Sequence, residues 1–103
     1  MIKMSCKSIA LSYIRPEPGR VFIYRLINAA EKVIYVGQTK DIKSRVSQHL
    51  AYGKEFTDVC FYSCSMSNST VIERDEIIAH NPPLNKDLPK TDKYITIKQS
   101  AKL

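Results

Sequence analysis

The sequence contains no tryptophan, three glycines and three cysteines among its 103 residues. An odd number of cysteines, without a Cys-x-x-Cys pair, favours neither a disulfide framework nor a structural zinc site. Free cysteine is among the most buried residue types. We therefore expect Cys6, Cys60 and Cys64 to be reduced thiols that are partly buried.

Long apolar runs are also missing. No segment approaches the roughly 18 to 20 apolar residues that span a bilayer, and residues 1–18 lack the apolar stretch of a secretory signal. These absences predict a cytoplasmic protein without a membrane partner. The sequence has no internal repeat and no low-complexity segment, and its length suits one domain with one core.

Negative charge is scarce, since 16 Lys and Arg residues stand against 10 Asp and Glu residues, which gives a net charge of +6. A positive field of this kind attracts polyanions, nucleic acid first and anionic membranes second. Charge alone does not distinguish an enzyme from a binding protein, so that distinction must come from the motifs.

Three segments are rich in β-branched and aromatic residues. Residues 21–27 and 32–36 flank a polar break and predict a β-hairpin, and residues 56–64 predict a third strand after a polar connection. If the hairpin loop has an even number of residues and the pairing carries no bulge, Tyr24 and Tyr35 lie on the same face of the sheet. An odd loop would separate them.

A helix over residues 41–52 is predicted by apolar residues at intervals of four, expected to face the core: Ile42, Val46 and Leu50. Thr39 or Asp41 can cap this helix. Arg45 and His49 are also four residues apart, each one position before a member of the apolar stripe. They are therefore expected side by side along the edge of that stripe.

A second helix is predicted over residues 71–80, because Asn81-Pro82-Pro83 forbids its continuation. In the N-terminal extension, residues 1–19, the apolar segment 8–14 predicts an extra strand. In the C-terminal segment, residues 89–103, the alternation at 94–98 is typical of a short strand or of an ordered tail. The fold class is then α+β, a small antiparallel sheet of three or more strands flanked by helices.

Taken in order, these residues resemble the GIY-YIG nuclease family over residues 21–88. Phe22-Ile23-Tyr24 matches its Gly-Ile-Tyr motif, with Phe22 in place of the glycine, and Tyr35-Val36-Gly37 matches its second motif. On the following helix, Arg45 matches the family's arginine, and His49 matches a position that is often His or Tyr. On the later helix, Glu73 matches the acidic metal ligand, and after that helix Asn85 matches the closing asparagine.

The resemblance implies a divalent-metal-dependent endonuclease that hydrolyses DNA phosphodiester bonds, with RNA left open as a substrate. It places the nuclease domain at residues 20–88, with one Mg²⁺ or Mn²⁺ ion held by Glu73. No separate recognition domain is visible, which favours weak binding, structure-dependent binding or a protein partner that supplies targeting. The alternatives are a catalytically silent nucleic-acid-binding module of the same fold and a purely structural protein.

Phosphodiester hydrolysis needs a base for water, positive charge on the transition state and help for the leaving oxygen. Tyr24 and Tyr35 are candidates for positioning water or abstracting its proton, although a phenol is a poor base unless a cation lies close by. His49 is the other candidate for proton transfer. Arg45 can hold a phosphate through two parallel hydrogen bonds.

Four further residues are expected to support the site. Some family members carry a lysine where Gln38 stands. Whether Lys40 or Lys43 takes the role of that lysine is left open by the sequence. Gly37 is expected to support the site and can also be a turn glycine with positive φ, since the two uses are compatible. Asn85 is expected to anchor the loop by hydrogen bonds.

Two expected site features have structural alternatives. Thr70 and Glu73 fit a capping box, which would leave no evident metal ligand. Arg45 and His49 fit an ordinary solvated helix face.

Overall fold

The structure, a computed structural model, describes residues 1–85. Its six main elements follow one another in this order: β1 (Ile2–Ser5), β2 (Arg20–Ile27), β3 (Val33–Thr39), α1 (Ile42–Ala51), β4 (Asp58–Ser65) and α2 (Ser69–His80). The strands form one antiparallel sheet in the order β1-β4-β2-β3. This architecture confirms the predicted α+β class. The predicted segments 89–103 and 94–98 lie outside the described residues.

The sheet carries a separate apolar cluster on each face. The cluster beneath α1 is the larger and contains Cys6, Leu11, Tyr24, Leu26, Ile34, Ile42, Val46, Phe56, Val59 and Phe61. The cluster beneath α2 contains Val21, Ile23, Val36, Cys64 and Ile77. Alternate residues of β2 thus feed both clusters, because successive side chains of a strand point to opposite faces. The expectation of a single core is corrected to two.

The predicted strand over residues 8–14 is wrong. Ile9–Tyr13 is a 3-10 helix, and the side chain of Ser8 accepts a hydrogen bond from the amide of Ala10 at its start. Only Leu11 of this segment is buried, whereas Ile9 is 76% exposed. One buried residue cannot supply the alternating face of a strand. The extra strand of the N-terminal extension is instead β1, which pairs with β4.

The β2–β3 hairpin brings the two tyrosines to one face of the sheet through a combination of loop length and strand register that the sequence did not predict. Five residues, 28–32, separate the strands, and this odd loop alone would have placed Tyr24 and Tyr35 on opposite faces. A register shift between Leu26 and Ile27 compensates for it. Tyr24 then lies opposite Gly37 and Leu26 lies opposite Tyr35. Both phenols therefore point toward α1.

The helix ends follow their capping residues. The side chain of Asp41 caps α1 by accepting a hydrogen bond from the amide of Ser44, as one of the two predicted caps. Helix α2 begins two residues earlier than predicted, at Ser69, and ends at Asn81 in the left-handed conformation, with φ 44°. The prolines at 82 and 83 follow directly.

The three cysteines are free and buried, as predicted. Among residues 1–85, no helix is long and apolar enough to cross a membrane.

Candidate active site

The centre of the site is a buried contact between strand β2 and helix α1. The hydroxyl of Tyr24 lies 2.8 Å from Nε2 of His49, and these residues are 0% and 6% exposed. The predicted apolar stripe of α1 is corrected here, because Leu50 is 38% exposed. The buried positions are Ile42, Val46 and His49, since a helix returns to the same face after three or four residues. The imidazole thus occupies a core position, and the solvated-face interpretation fails for it.

Tyr35 completes an aromatic group around this contact. Its ring centroid lies 4.8 Å from that of His49 and 6.1 Å from that of Tyr24. Phe56 closes the far side of His49, edge-on, at 6.5 Å. Tyr35 itself is only partly buried, so it lies between the buried pair and the surface.

Gly37 has a packing reason to be glycine. It lies within β3, directly opposite Tyr24, and only Gly19 and Gly53 have positive φ among the described glycines. A methyl group at Gly37 would lie 2.5 Å from the hydroxyl oxygen of Tyr24 and 2.7 Å from its Cζ. The turn interpretation of Gly37 is therefore wrong, and the residue lets the phenol lie directly against the strand.

Phe22 occupies the place of the missing motif glycine without disturbing this arrangement. Its ring packs edge-on against Phe61 at 5.8 Å, on the edge of the cluster beneath α1. Tyr24, two residues along the same strand, remains fully buried.

Burial decides the protonation states of the pair. Burial lowers the pKa of His49 to about 4, and the positive charges of Lys54 and Arg45 act in the same direction. Burial also raises the pKa of Tyr24 well above its usual range, and the neighbouring Tyr35 adds to this increase while Arg45 opposes it. At neutral pH the site therefore holds a neutral imidazole beside a protonated phenol.

Nδ1 of His49 is buried and has no hydrogen-bond partner among residues 1–85. Which ring nitrogen carries the proton is not fixed by heavy-atom positions. If Nδ1 carries it, the Nε2 lone pair accepts the hydrogen bond from Tyr24.

Arg45 is half-buried on α1, one turn before His49. Its positive charge lowers the pKa values of Tyr24, Tyr35 and His49. For Tyr35 the net shift is still upward, because burial is the largest cause and the negative charge of Glu73 is the next. One guanidinium thus acts on all three proton-carrying groups.

Glu73 approaches the site from α2, and it is 7% exposed. The side-chain amide of Gln38 donates to its carboxylate at 2.6 Å. The capping-box interpretation fails, because the helix starts at Ser69 with Asn68 as its cap, so Thr70 lies inside the helix. The charge of Glu73 acts on both Tyr24 and Tyr35, although its helix packs on the opposite face of the sheet.

Asn85 is joined to β3 by two hydrogen bonds. Its side-chain oxygen accepts from the amide of Val36 at 2.8 Å, and its side-chain nitrogen donates to the carbonyl of Val36 at 2.9 Å. The amide of Leu84 also donates to the carbonyl of Ile34 at 3.0 Å. The segment after α2 is thus held along the strand that carries Tyr35 and Gly37.

The lysines divide into two groups. Lys40 and Lys43 are exposed, and Lys43 lines a groove beside the 3-10 helix rather than the tyrosine cluster. A cation that sequence reasoning missed does reach that cluster: Lys54, whose ammonium lies 5.4 Å from the centroid of the Tyr35 ring. It belongs to the polar connection after α1, where no periodicity marks it. Its one signal in the sequence is the nearby Tyr52.

Among residues 1–85, no three His, Cys, Asp or Glu side chains cluster so as to hold a metal ion. Mg²⁺ is commonly bound by one or two carboxylates, with water and substrate phosphates completing its coordination. The carboxylate of Glu73 is a single hard-oxygen ligand of the kind that suits such an ion. A site with several protein ligands does not fit this arrangement.

Comparison with known proteins agrees with the geometry. The family model for the GIY-YIG catalytic domain matches residues 20–80, more than half of the chain. A stretch of 40 residues is 42% identical to the UvrABC system protein C of Aromatoleum aromaticum (strain DSM 19018 / LMG 30748 / EbN1), covering 39% of this chain and 7% of that protein. The family match spans β2 to α2 and includes both tyrosines, Arg45, His49 and Glu73. The chain belongs to the GIY-YIG family.

Proposed function

We propose that the protein is a divalent-metal-dependent endonuclease that hydrolyses DNA phosphodiester bonds. The observation that carries this proposal is the buried hydrogen bond between Tyr24 and His49, 2.8 Å long, on which the charges of Arg45 and Glu73 converge. Membership of a nuclease family supports the reaction class. The net charge of +6 supports a polyanionic substrate.

The Tyr24–His49 pair is the base that activates water. A lone buried phenol cannot act as the base at neutral pH, because its raised pKa keeps it protonated. A neutral imidazole, however, can take the hydroxyl proton of Tyr24 at Nε2 while the phenol oxygen of Tyr24 takes the hydroxyl proton of Tyr35, to which it is hydrogen-bonded. The partly exposed Tyr35 in turn takes a proton from water. Tyr24 then relays the proton, and no free phenolate is needed. The lowered pKa of His49 keeps the imidazole neutral at physiological pH, with its Nε2 lone pair open to that proton, although the same shift makes the imidazole a weaker base.

Arg45 holds the phosphate and stabilises the negative charge that develops on it. A guanidinium presents two parallel donors to a phosphate, and a half-buried position strengthens its electrostatic effect. Tyr35, partly exposed beside the pair, positions the attacking water. Lys40 and Lys43, both exposed near the start of α1, contact the DNA backbone outside the reacting phosphate.

Glu73 holds one Mg²⁺ or Mn²⁺ ion, and Gln38 orients its carboxylate through the 2.6 Å hydrogen bond. When bound, such an ion supplies positive charge to the phosphate and to the leaving oxygen. Gly37 and Asn85 support the site by placing Tyr24 against β3 and by fixing that strand. We place the nuclease domain at residues 20–88, in the cytoplasm, with a protein partner that supplies targeting.

The test uses supercoiled plasmid with Mg²⁺ or Mn²⁺ and three proteins: the wild type, Glu73→Gln and Asp75→Asn. Glutamine retains an oxygen that can accept from Gln38 but lacks the charge that binds a cation. Asp75 is on the same helix with a side chain that is 64% exposed, so its substitution controls for loss of one negative charge. We expect cleavage by the wild type and Asp75→Asn and none by Glu73→Gln.

Equal cleavage by Glu73→Gln would remove Glu73 from the metal site. If no variant cleaves but all bind DNA in a salt-sensitive way, the protein is the silent binding module instead.

A further inference from the structure

The connection after α1 places an aromatic ring and a cation next to the active site. Tyr52 is 80% exposed. Its backbone amide caps α1 through the carbonyls of Gln48 and Leu50, but its side chain belongs to neither apolar cluster. The phenol ring of Tyr52 is therefore not needed for folding.

Lys54 links this exposed ring to the catalytic group. Its ammonium lies 5.9 Å from the centroid of Tyr52 and 5.4 Å from the centroid of Tyr35. Its backbone amide donates to the carbonyl of His49 at 3.2 Å, which ties the position of the lysine to the end of α1. The ring of Tyr52 and the ammonium of Lys54 thus lie next to Tyr35, which belongs to the proposed site of cleavage.

An open groove of about 360 Å³ runs from this point to the segment after α2. Its walls include three apolar residues and the two groups just described, together with one carboxylate: Ile34, Pro83, Leu84, Tyr52, Lys54 and Glu55. Lys54 lines the groove, and its ammonium lies 5.4 Å from the centroid of the Tyr35 ring, so the groove starts beside the catalytic tyrosines. The apolar side chains and the ring of Tyr52 suit a flat, uncharged base, and the ammonium of Lys54 suits its charged phosphate.

A base in duplex DNA cannot use such a groove, because both of its faces are stacked within the helix. An unpaired base exposes a face, and proteins that bind single strands combine aromatic side chains for stacking with cations for the backbone. The groove beside Tyr35 offers both within one short connection.

Building on the endonuclease function, we propose that Tyr52 and Lys54 form a subsite for an unpaired nucleotide next to the cleaved bond, with the base against Tyr52 and its phosphate on Lys54. The substrate class is therefore DNA that contains a single-stranded segment, such as a flap, an overhang or a bubble, rather than plain duplex.

The test measures binding without metal, so that it does not depend on cleavage. Fluorescence anisotropy in EDTA compares a duplex with the same duplex carrying a single-stranded flap, for the wild type, Tyr52→Leu and Lys54→Met. We expect the wild type to prefer the flap. Tyr52→Leu should weaken flap binding at least about fivefold and leave duplex binding unchanged, because stacking on an aromatic ring is lost.

Lys54→Met should reduce the slope of log K against log salt on the flap by about 0.7, the value for one phosphate contact on a single strand. The matched controls are Tyr13→Leu, since Tyr13 is 72% exposed on the 3-10 helix, and Lys3→Met, since Lys3 pairs with Glu31 near the β2–β3 loop. Both controls should bind the flap as the wild type does.

Equal wild-type affinity for flap and duplex, or flap binding that survives both substitutions, would overturn the subsite. The plasmid assay separates this outcome from failure of the endonuclease function. If Tyr52→Leu still cleaves plasmid and the wild type shows no preference for the flap, the endonuclease function is supported and the subsite is refuted. If the wild type never cleaves plasmid but Tyr52→Leu still binds the flap more weakly than the wild type does, the subsite is supported and the endonuclease function is refuted.

Discussion

Substituting Gly37 by alanine tests how the site is packed. The new methyl group would lie 2.5 Å from the hydroxyl oxygen and 2.7 Å from Cζ of Tyr24, closer than non-bonded atoms can approach. Tyr24 is 0% exposed, so its ring has no solvent-filled space into which it can move. We expect the phenol to be pushed away from Nε2 of His49 and the 2.8 Å hydrogen bond to be broken.

Overpacking of this kind destabilises a core by about 1 to 3 kcal/mol. For a domain of this size, about 1 kcal/mol corresponds to a change in Tm of roughly 4 to 8 °C. Gly37→Ala should therefore lower Tm by about 4 to 24 °C, measured by circular dichroism, and should also abolish plasmid cleavage below that Tm. The loss of cleavage follows because the proton relay needs the Tyr24–His49 contact.

The matched control is Gly19→Ala. Gly19 has φ +73°, and no atom lies within 4 Å of the place that a methyl group would take, so alanine there costs about 1 to 2 kcal/mol through the backbone alone. This variant should lose stability and keep its cleavage rate. In addition, Tyr24→Phe removes the nearest atom, so the double variant Gly37→Ala/Tyr24→Phe should be less destabilised than the sum of the two single changes. Wild-type stability and activity in Gly37→Ala would refute the packing argument.

Three further outcomes follow from the contacts. Because the pKa of His49 is lowered to about 4 in the folded protein, the unfolded chain binds its proton first as pH falls. Stability should therefore drop between about pH 6.5 and pH 4, by about 2 kcal/mol from pH 7 to pH 5, and urea unfolding of His49→Gln should show a weaker pH dependence. Arg25→Met should destabilise the fold by about 2 kcal/mol in the same assay, because it leaves the largely buried Glu76 without the guanidinium at 2.6 Å that lowers its pKa. Asn85→Ala should lower stability by about 1 to 3 kcal/mol through its two lost hydrogen bonds to Val36, and a wild-type Tm would contradict this.

Local patterns in the sequence predicted the elements of the fold well. β-Branched and aromatic runs located β2, β3 and β4, and Asp41 and Asn81-Pro82-Pro83 marked the two helix ends. The segment 8–14 failed because composition does not reveal which side chains find a buried partner. Leu11 alone does so there, and a serine cap fixes the local turn.

The candidate site was predicted in its members but not in its geometry. The common face of Tyr24 and Tyr35 depends on an odd loop and a register shift together, and neither can be read from hydrophobic alternation. The burial of His49 in place of Leu50 depends on how α1 rotates over the sheet. Lys54 reaches Tyr35 only through the fold of the connection after α1. Long-range packing decides each of these features.

The segment after α2 also has a consequence for solubility. In the part of the chain that the structure describes, β3 is an edge strand of the sheet. An exposed edge invites pairing with a second chain. Leu84 donates to the carbonyl of Ile34, and Asn85 binds both the amide and the carbonyl of Val36, so these groups are not open to another strand. This short stretch therefore protects the β3 edge from edge-to-edge aggregation. A chain truncated after His80 is expected to self-associate through β3 even if its helices and sheet still form.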